Sequence, residues 1–307
     1  MHNYAASLRE WTRWEESRDG FSKGLSNKGT VTAAMKNPYL YVYCLCKDSS
    51  PLHVLRLRGI ESEPVLLLPH GGLIVAYSSV AWKAASLRKQ AKEVSWIMSR
   101  VGEHERVVEE IMRNYAILPM KFLTLFRSER SLLNTLEPHL PVLLHYLEHI
   151  HGKEEWALKV YSNEAKGLKH LQESDAYIRE MNRKTFGTHG ERYLHMKRME
   201  ELTHEGFANA LHGIVEDIYE TLINLSEEGK AINAYGRTVT ERGEEDVVFN
   251  GAFLVSKQKF KTFREKVKSL KERHRPWGLS FELTGPWPPY NFCPNMEETV
   301  SNKVRDL

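Results

Sequence analysis

The sequence predicts an α+β protein of two domains. Three observations lead there: a length of 307 residues, enough for two cores; a strand-rich stretch from Pro38 that gives way near Leu87 to apolar residues every three or four positions; and, after Gly152, strand-like and helix-like runs in the order β-α-β-β-α-β. A hydrophobic content of 41% with 27% charged residues is that of an ordinary soluble globular protein. No apolar run approaches the roughly 18–20 residues needed to cross a bilayer, and the N-terminus lacks a signal-peptide apolar region. The chain is therefore expected to be cytoplasmic, with no membrane partner. Its net charge of +3 is too small to argue for any partner. Cys44, Cys46 and Cys293 cannot build a disulfide framework; Cys44 and Cys46, on one face of a strand, read as small buried hydrophobes.

Residues 1–36 are polar, with a Gly/Ser/Asn/Lys stretch from Ser17 to Thr30, and read as a flexible extension. Tyr4, Leu8, Trp11 and Trp14 recur at helical spacing, so a short docking helix is the other reading of this segment. The first domain, 37–151, opens with strands over Tyr39–Cys46, Val54–Arg58, Pro64–Leu68 and Leu73–Ser79, and Pro69-His70-Gly71-Gly72 reads as a hairpin turn. Leu87, Ala91, Val94, Met98 and Val101, then Val107, Val108, Ile111 and Met112, form one buried helical stripe expected to break near Gly102. A further strand is predicted over Ile117–Phe126, and a helix over Ser131–Ile150 interrupted at Pro138 and Pro141. His104 is expected to fix its helix against the sheet by a hydrogen bond.

The second domain, 152–292, starts with Glu155–Tyr161, in which Trp156, Leu158 and Val160 alternate toward the core. A helical region over 163–228 follows, then strands at 231–240 and 247–256, a helix at 257–274 and a strand at 277–284. That order is the ferredoxin-like arrangement, with its first helix enlarged into two long helices hinged near Gly187–Gly190. Phe207, Leu211, Ile214, Ile218, Leu222 and Leu225 form a core seam. The last strand falls at a sheet edge in this topology, and Pro286, Pro288 and Pro289 behind it cannot donate ladder hydrogen bonds, so they block further strand addition. Residues 293–307 form a short tail.

The segment Gly285-Pro-Trp-Pro-Pro-Tyr-Asn-Phe292 after a short strand resembles the C-terminal signature of the gas-vesicle accessory proteins of the GvpF/GvpL family. Further similar segments come in order: Tyr39–Tyr43, Gly59-Ile60, Gly72–Ser78, His104-Glu105 with Val107-Val108, Leu118–Phe122 with Thr124 and Phe126, Gly152–Trp156, and Gly190–Leu194 with Lys197. The resemblance covers about 38–292. One departure is Leu123, where the family often has a small residue. The resemblance implies an accessory protein for building gas vesicles that binds the major, very apolar shell protein, together with other gas vesicle accessory proteins. Such a subunit is aggregation-prone before assembly, so the implied role is to limit premature self-association. A minor structural component of the shell is the alternative.

The contact surface is assigned to the aromatic lid Trp287, Tyr290 and Phe292 together with the basic helix face Lys261, Lys268 and Lys271, weighed against a lid that only stabilises its own domain. Residues 257–275 hold nine Lys/Arg against Glu265 and Glu272, which suits an acidic partner helix or a solvated face. No aromatic residue interleaves with these charges, which argues against nucleic acid. Arg192 and Tyr193 are expected to tie the inserted helices to the domain. His145 and His149, with Glu148 and His151, could hold a metal, yet the spacing is not H-E-x-x-H and reads as surface histidines. Without a phosphate loop, a G-x-G-x-x-G or a G-x-S-x-G, the chain is expected to be no enzyme and to take no cofactor or small-molecule substrate.

Overall fold

The computed structural model describes residues 39–48, 57–184, 188–232 and 246–294. The expected N-terminal extension, most of the Val54–Arg58 strand, the 233–240 part of the 231–240 strand and nearly all of the C-terminal tail lie outside them. The described residues fall into two compact units: those up to His151 together with 288–294, and those from Gly152 to Trp287.

The first unit is built on β1 (Tyr39–Lys47), buried over nearly its whole length. A run as apolar as Tyr-Leu-Tyr-Val-Tyr-Cys-Leu-Cys belongs at a sheet centre, where both faces are covered. β1 pairs antiparallel with β3 (Leu73–Val80), which pairs with β2 (Leu66–His70) across a turn at Gly71 and Gly72, both at positive φ. β4 (Ile117–Pro119) and β5 (Leu125–Phe126) line the other side of β1. Tyr43 is an extra residue in the β1–β3 ladder: Val42 pairs with Tyr77 and Cys44 with Ala76. This bulge changes the phase of alternation, so Tyr41, Tyr43, Cys44 and Cys46 all enter one core cluster. The cluster is closed by Leu87 of α1 (Ala84–Gln90) and by Val107, Val108 and Ile111 of α2 (Val94–Met112). Leu132 and Leu136 of α3 (Glu129–Leu136) and Leu143, Leu147 and Ile150 of α4 (Leu140–Ile150) are also buried.

Three expectations for this unit are corrected. Val94 and Met98, expected in the buried stripe, are 73% and 50% exposed, so the stripe is buried only at Leu87, Ala91, Val107, Val108 and Ile111. α2 runs unbroken through Gly102, and the helix break falls at 91–93 instead. A glycine costs a helix about 1 kcal/mol, which the buried stripe offsets. Ile117–Phe126 is not one strand. A turn separates β4 from β5, with the Thr124 amide and hydroxyl both donating to the Lys121 carbonyl and Leu123 at φ 66. The expected break before α4 is present as a 3-10 turn at Glu137–His139.

The second unit holds a four-stranded sheet in the order β7-β8-β6-β9, antiparallel throughout. Its strands are β6 (Lys153–Ser162), β7 (Glu228–Ala231), β8 (Asp246–Ser256) and β9 (Leu279–Trp287). Leu158, Val160, Phe249, Phe253 and Phe281 meet Ile218 and Leu222 of α7 (His189–Ile223) and Phe263, Val267 and Leu270 of α8 (Phe260–His274) in one core. A satellite cluster joins Leu171 of α5 (Glu164–Ser174), Ile178 of α6 (Ala176–Asn182) and Met199 and Phe207 of α7. The insert is thus two short helices and one of 35 residues, not two long ones. Asp175 breaks the run, its Oδ1 accepting the Ile178 amide at 2.9 Å as an N-cap. Thr188 and Glu191 form a capping box that starts α7, so Gly190 lies inside the first turn.

β9 occupies the sheet edge, as its place in the topology predicts, but continues three residues past Thr284. Thr284 pairs with Ala157 and Trp287 with Glu155, so Gly285-Pro286 contains one extra residue. An edge strand tolerates this proline because its missing N–H would have faced away from the ladder. Gly285 has φ 136, and a Cβ there would lie 2.9 Å from the Glu155 carbonyl oxygen.

Candidate functional site

The aromatic run at 287–292 divides. Trp287 ends β9 in the second unit, 43% exposed, with its Nε1 donating to Thr284 Oγ1 at 3.1 Å. Tyr290 and Phe292 belong to the first unit. Phe292 is 1% exposed, and Tyr290 reaches a polar group in the core. The three rings therefore do not form a single exposed surface.

That polar group centres on His104, buried on α2. The Met120 carbonyl, 3.1 Å from Nε2, can only accept, so Nε2 carries the hydrogen. Nδ1 then accepts from the Tyr41 hydroxyl at 2.9 Å. The Tyr290 hydroxyl lies 3.2 Å from Nε2 and donates to Glu105 Oε1 at 3.0 Å. Burial pushes the imidazole down to about 4, so it stays neutral through physiological pH. Burial likewise raises the Tyr41 hydroxyl well above the ordinary phenol range. The expected helix-to-sheet hydrogen bond of His104 is present. Its link to Tyr290 had no signal in the sequence, since 186 positions separate the two.

Beside it, the Tyr43 hydroxyl donates to Ser78 Oγ at 2.9 Å and accepts the Ile60 amide at 2.8 Å. Gly59 is needed there because a Cβ would fall 1.9 Å from that hydroxyl oxygen. The thiol of Cys46 is pushed up to about 12 by burial, which keeps it an unreactive core group. His145 is exposed on α4, and Glu148 is held by Lys47 at 2.7 Å, which lowers its carboxyl below the usual range. Among the described residues no three His, Cys, Asp or Glu side chains come together as a metal-binding group.

The outer face of α8 carries Lys261, Lys268 and Lys271, all exposed and with no carboxylate within 4.0 Å among the described residues. Their neighbours differ: Lys259 pairs with Glu227 at 2.9 Å, Lys257 with Glu154 at 3.7 Å and Arg273 with Asp217 at 3.8 Å. Arg192 and Tyr193 do not tie the insert down. Both are exposed on α7, where they line a groove against α5 and α6. No helix among the described residues is long and apolar enough to cross a membrane.

Fold and surfaces define the class: an α+β protein whose prominent polar groups are buried packing elements or exposed cations, some of them with no carboxylate within 4.0 Å among the described residues. A family model described as gas vesicle synthesis protein GvpL/GvpF matches residues 39–294, and the chain belongs to that family. It is 26% identical to gas vesicle protein L of a Streptomyces species over 85% of this chain and 94% of that one. It is 23% identical to gas vesicle protein L1 of Halobacterium salinarum, over 83% and 90% of the two chains. The crystal structure of GvpF from Anabaena sp. PCC7120 shares the fold at a TM-score of 0.60 and 19% identity, covering 84% of this chain and 97% of that one. GvpF from Microcystis aeruginosa is similar at 0.59, covering 84% and 99%.

Proposed function

We propose that this protein acts in the cytoplasm during gas vesicle formation by holding the major shell protein, limiting its premature aggregation and passing it to the growing shell. Other gas vesicle accessory proteins join it there. The observation that carries the reading is family membership over nearly all the described residues. Lys261, Lys268 and Lys271, exposed on one helix and without an ion-pair partner among the described residues, and the exposed ring of Trp287 support a contact on the second unit, which we read as a ferredoxin-like domain enlarged by the α5–α7 insert.

The test is co-expression of the major shell protein with wild type and with the Lys261→Glu/Lys268→Glu/Lys271→Glu variant. Soluble, co-purifying shell protein with wild type, reduced by the triple variant and by raised salt, is the expected result. Shell protein that aggregates equally with and without this chain removes the reading and favours a minor component of the shell, which would co-purify with washed vesicles in fixed stoichiometry.

A further inference from the structure

Exposed apolar side chains recur on two helices of the second unit, and two of them, Tyr193 and Met196, line one groove while Tyr177 and Leu194 lie outside its lining. Of the eight large hydrophobics exposed among the described residues, Tyr177, Tyr193, Leu194 and Met196 all lie on α6 and the N-terminal half of α7. The last three are 56%, 68% and 65% exposed. Single exposed apolar residues are commonplace, whereas a grouping marks a contact site. Between α5, α6 and α7 lies a groove of about 630 Å³, with half-buried Leu168 and buried Met199 among its lining residues. Lys184, Arg192 and Lys197 also line it, and none has a carboxylate within 4.0 Å among the described residues. Nearby Arg198, by contrast, is 3.7 Å from Glu201. Glu200 is the one acidic side chain in the lining, so three cations stand against a single anion.

We propose that this groove docks one amphipathic helix of a partner protein, with an apolar stripe set on Tyr193 and Met196 and flanking Asp or Glu side chains set on Lys184, Arg192 and Lys197. The occupant's backbone follows from the walls. The walls are helices, so the groove offers no strand edge, and a helix, whose backbone hydrogen bonds are already made, is the occupant it suits. Its charge follows from the three cations, which outnumber the one carboxylate of the lining, so a basic helix would add to a net positive field. Arg192, Tyr193, Met196, Lys197 and Glu200 share one face because they lie within the i, i+4 and i+8 rows of α7. This surface is separate from the α8 face and does not depend on capture of the shell protein.

The probe is a fluorescein-labelled peptide of about 18 residues, five helical turns, with a Leu/Phe stripe flanked by Glu. Anisotropy is read with the full-length protein. Binding should weaken by about tenfold or more in Arg192→Glu/Lys197→Glu and in Tyr193→Ser/Met196→Ser, the loss expected for a central contact. It should be unchanged in Lys261→Glu/Lys268→Glu, and a version with Lys in place of Glu should not bind. Far-UV circular dichroism of each variant confirms retained helix content. No binding of the acidic peptide, or binding indifferent to the groove substitutions, overturns the proposal. So does a concentration-dependent dimer that the same substitutions dissociate, which would assign the groove to a second copy of this chain.

Discussion

His104 does its structural work as a neutral base, and that sets a pH dependence. Its folded value of about 4 lies below the ordinary 6.5. As pH falls, the unfolded chain therefore takes up the proton before the folded one does. The stability it contributes is complete above about 6.5 and is lost as pH drops toward 4, by about 3 kcal/mol for a shift of this size. Urea denaturation at pH 7.5 and 4.5 should show that loss in wild type, and His104→Gln should flatten this component of the slope. Tyr290→Phe removes hydroxyl contacts to His104 and Glu105 and should lower stability by about 1–2 kcal/mol. Trp287→Ala, at a half-exposed site, should cost less than Phe292→Ala, whose ring is buried and whose loss should cost about 3–5 kcal/mol. Comparison of the melting temperatures ranks them. Leu123 combines buried packing with a left-handed backbone at φ 66, which explains why a small residue suits that position. Leu123→Gly relieves roughly 1–2 kcal/mol of backbone strain and forfeits about 2–5 kcal/mol of packing. Thermal unfolding should show net destabilisation.

At the scale of elements, the edge strand β9 is the informative one. Its bulge presses Gly285 against the Glu155 carbonyl and the Trp156 ring, and a side chain at φ 136 is strained whatever the space. Gly285→Ala should therefore destabilise the second unit by about 2 kcal/mol or more, measurable by amide hydrogen exchange in β6 and β9. A wild-type exchange pattern would show that the bulge relaxes freely. The exposed lysines of α8 behave oppositely. Lacking ion-pair partners among the described residues, they can be changed to glutamate with a stability effect within about 0.5 kcal/mol, which makes them clean probes of binding.

For the whole molecule, chain order and compact units do not coincide. The first unit is assembled from the beginning of the chain and from the segment after Trp287. Ending the chain after Trp287 leaves every strand of the second sheet in place while removing Phe292 and Tyr290 from the first unit's interior. Such a truncation should lower protection of α2 against hydrogen exchange and leave β8 protected. Equal loss in both, or in neither, contradicts that division.

Much of this architecture was legible in the residues themselves. The continuous apolar run of β1, the Val107–Ile111 part of the α2 stripe, the α8 stripe and the order of elements after Gly152 are local patterns, and local patterns are what backbone geometry and burial impose on neighbouring residues. The Gly285–Phe292 motif also signalled the family. Other features were decided by packing between distant segments. The helix passes through Gly102 because a buried stripe outweighs one glycine, and the turn at Leu123 interrupts a strand where its amide reaches the Tyr41 hydroxyl and the Thr124 carbonyl accepts the Val42 amide of distant β1. The division of the 287–292 aromatics was equally out of reach. Three rings close in sequence read as one lid, and only the tertiary structure, through a neutral His104 buried on a remote helix, assigns Tyr290 to the first unit's core and leaves Trp287 exposed on the second.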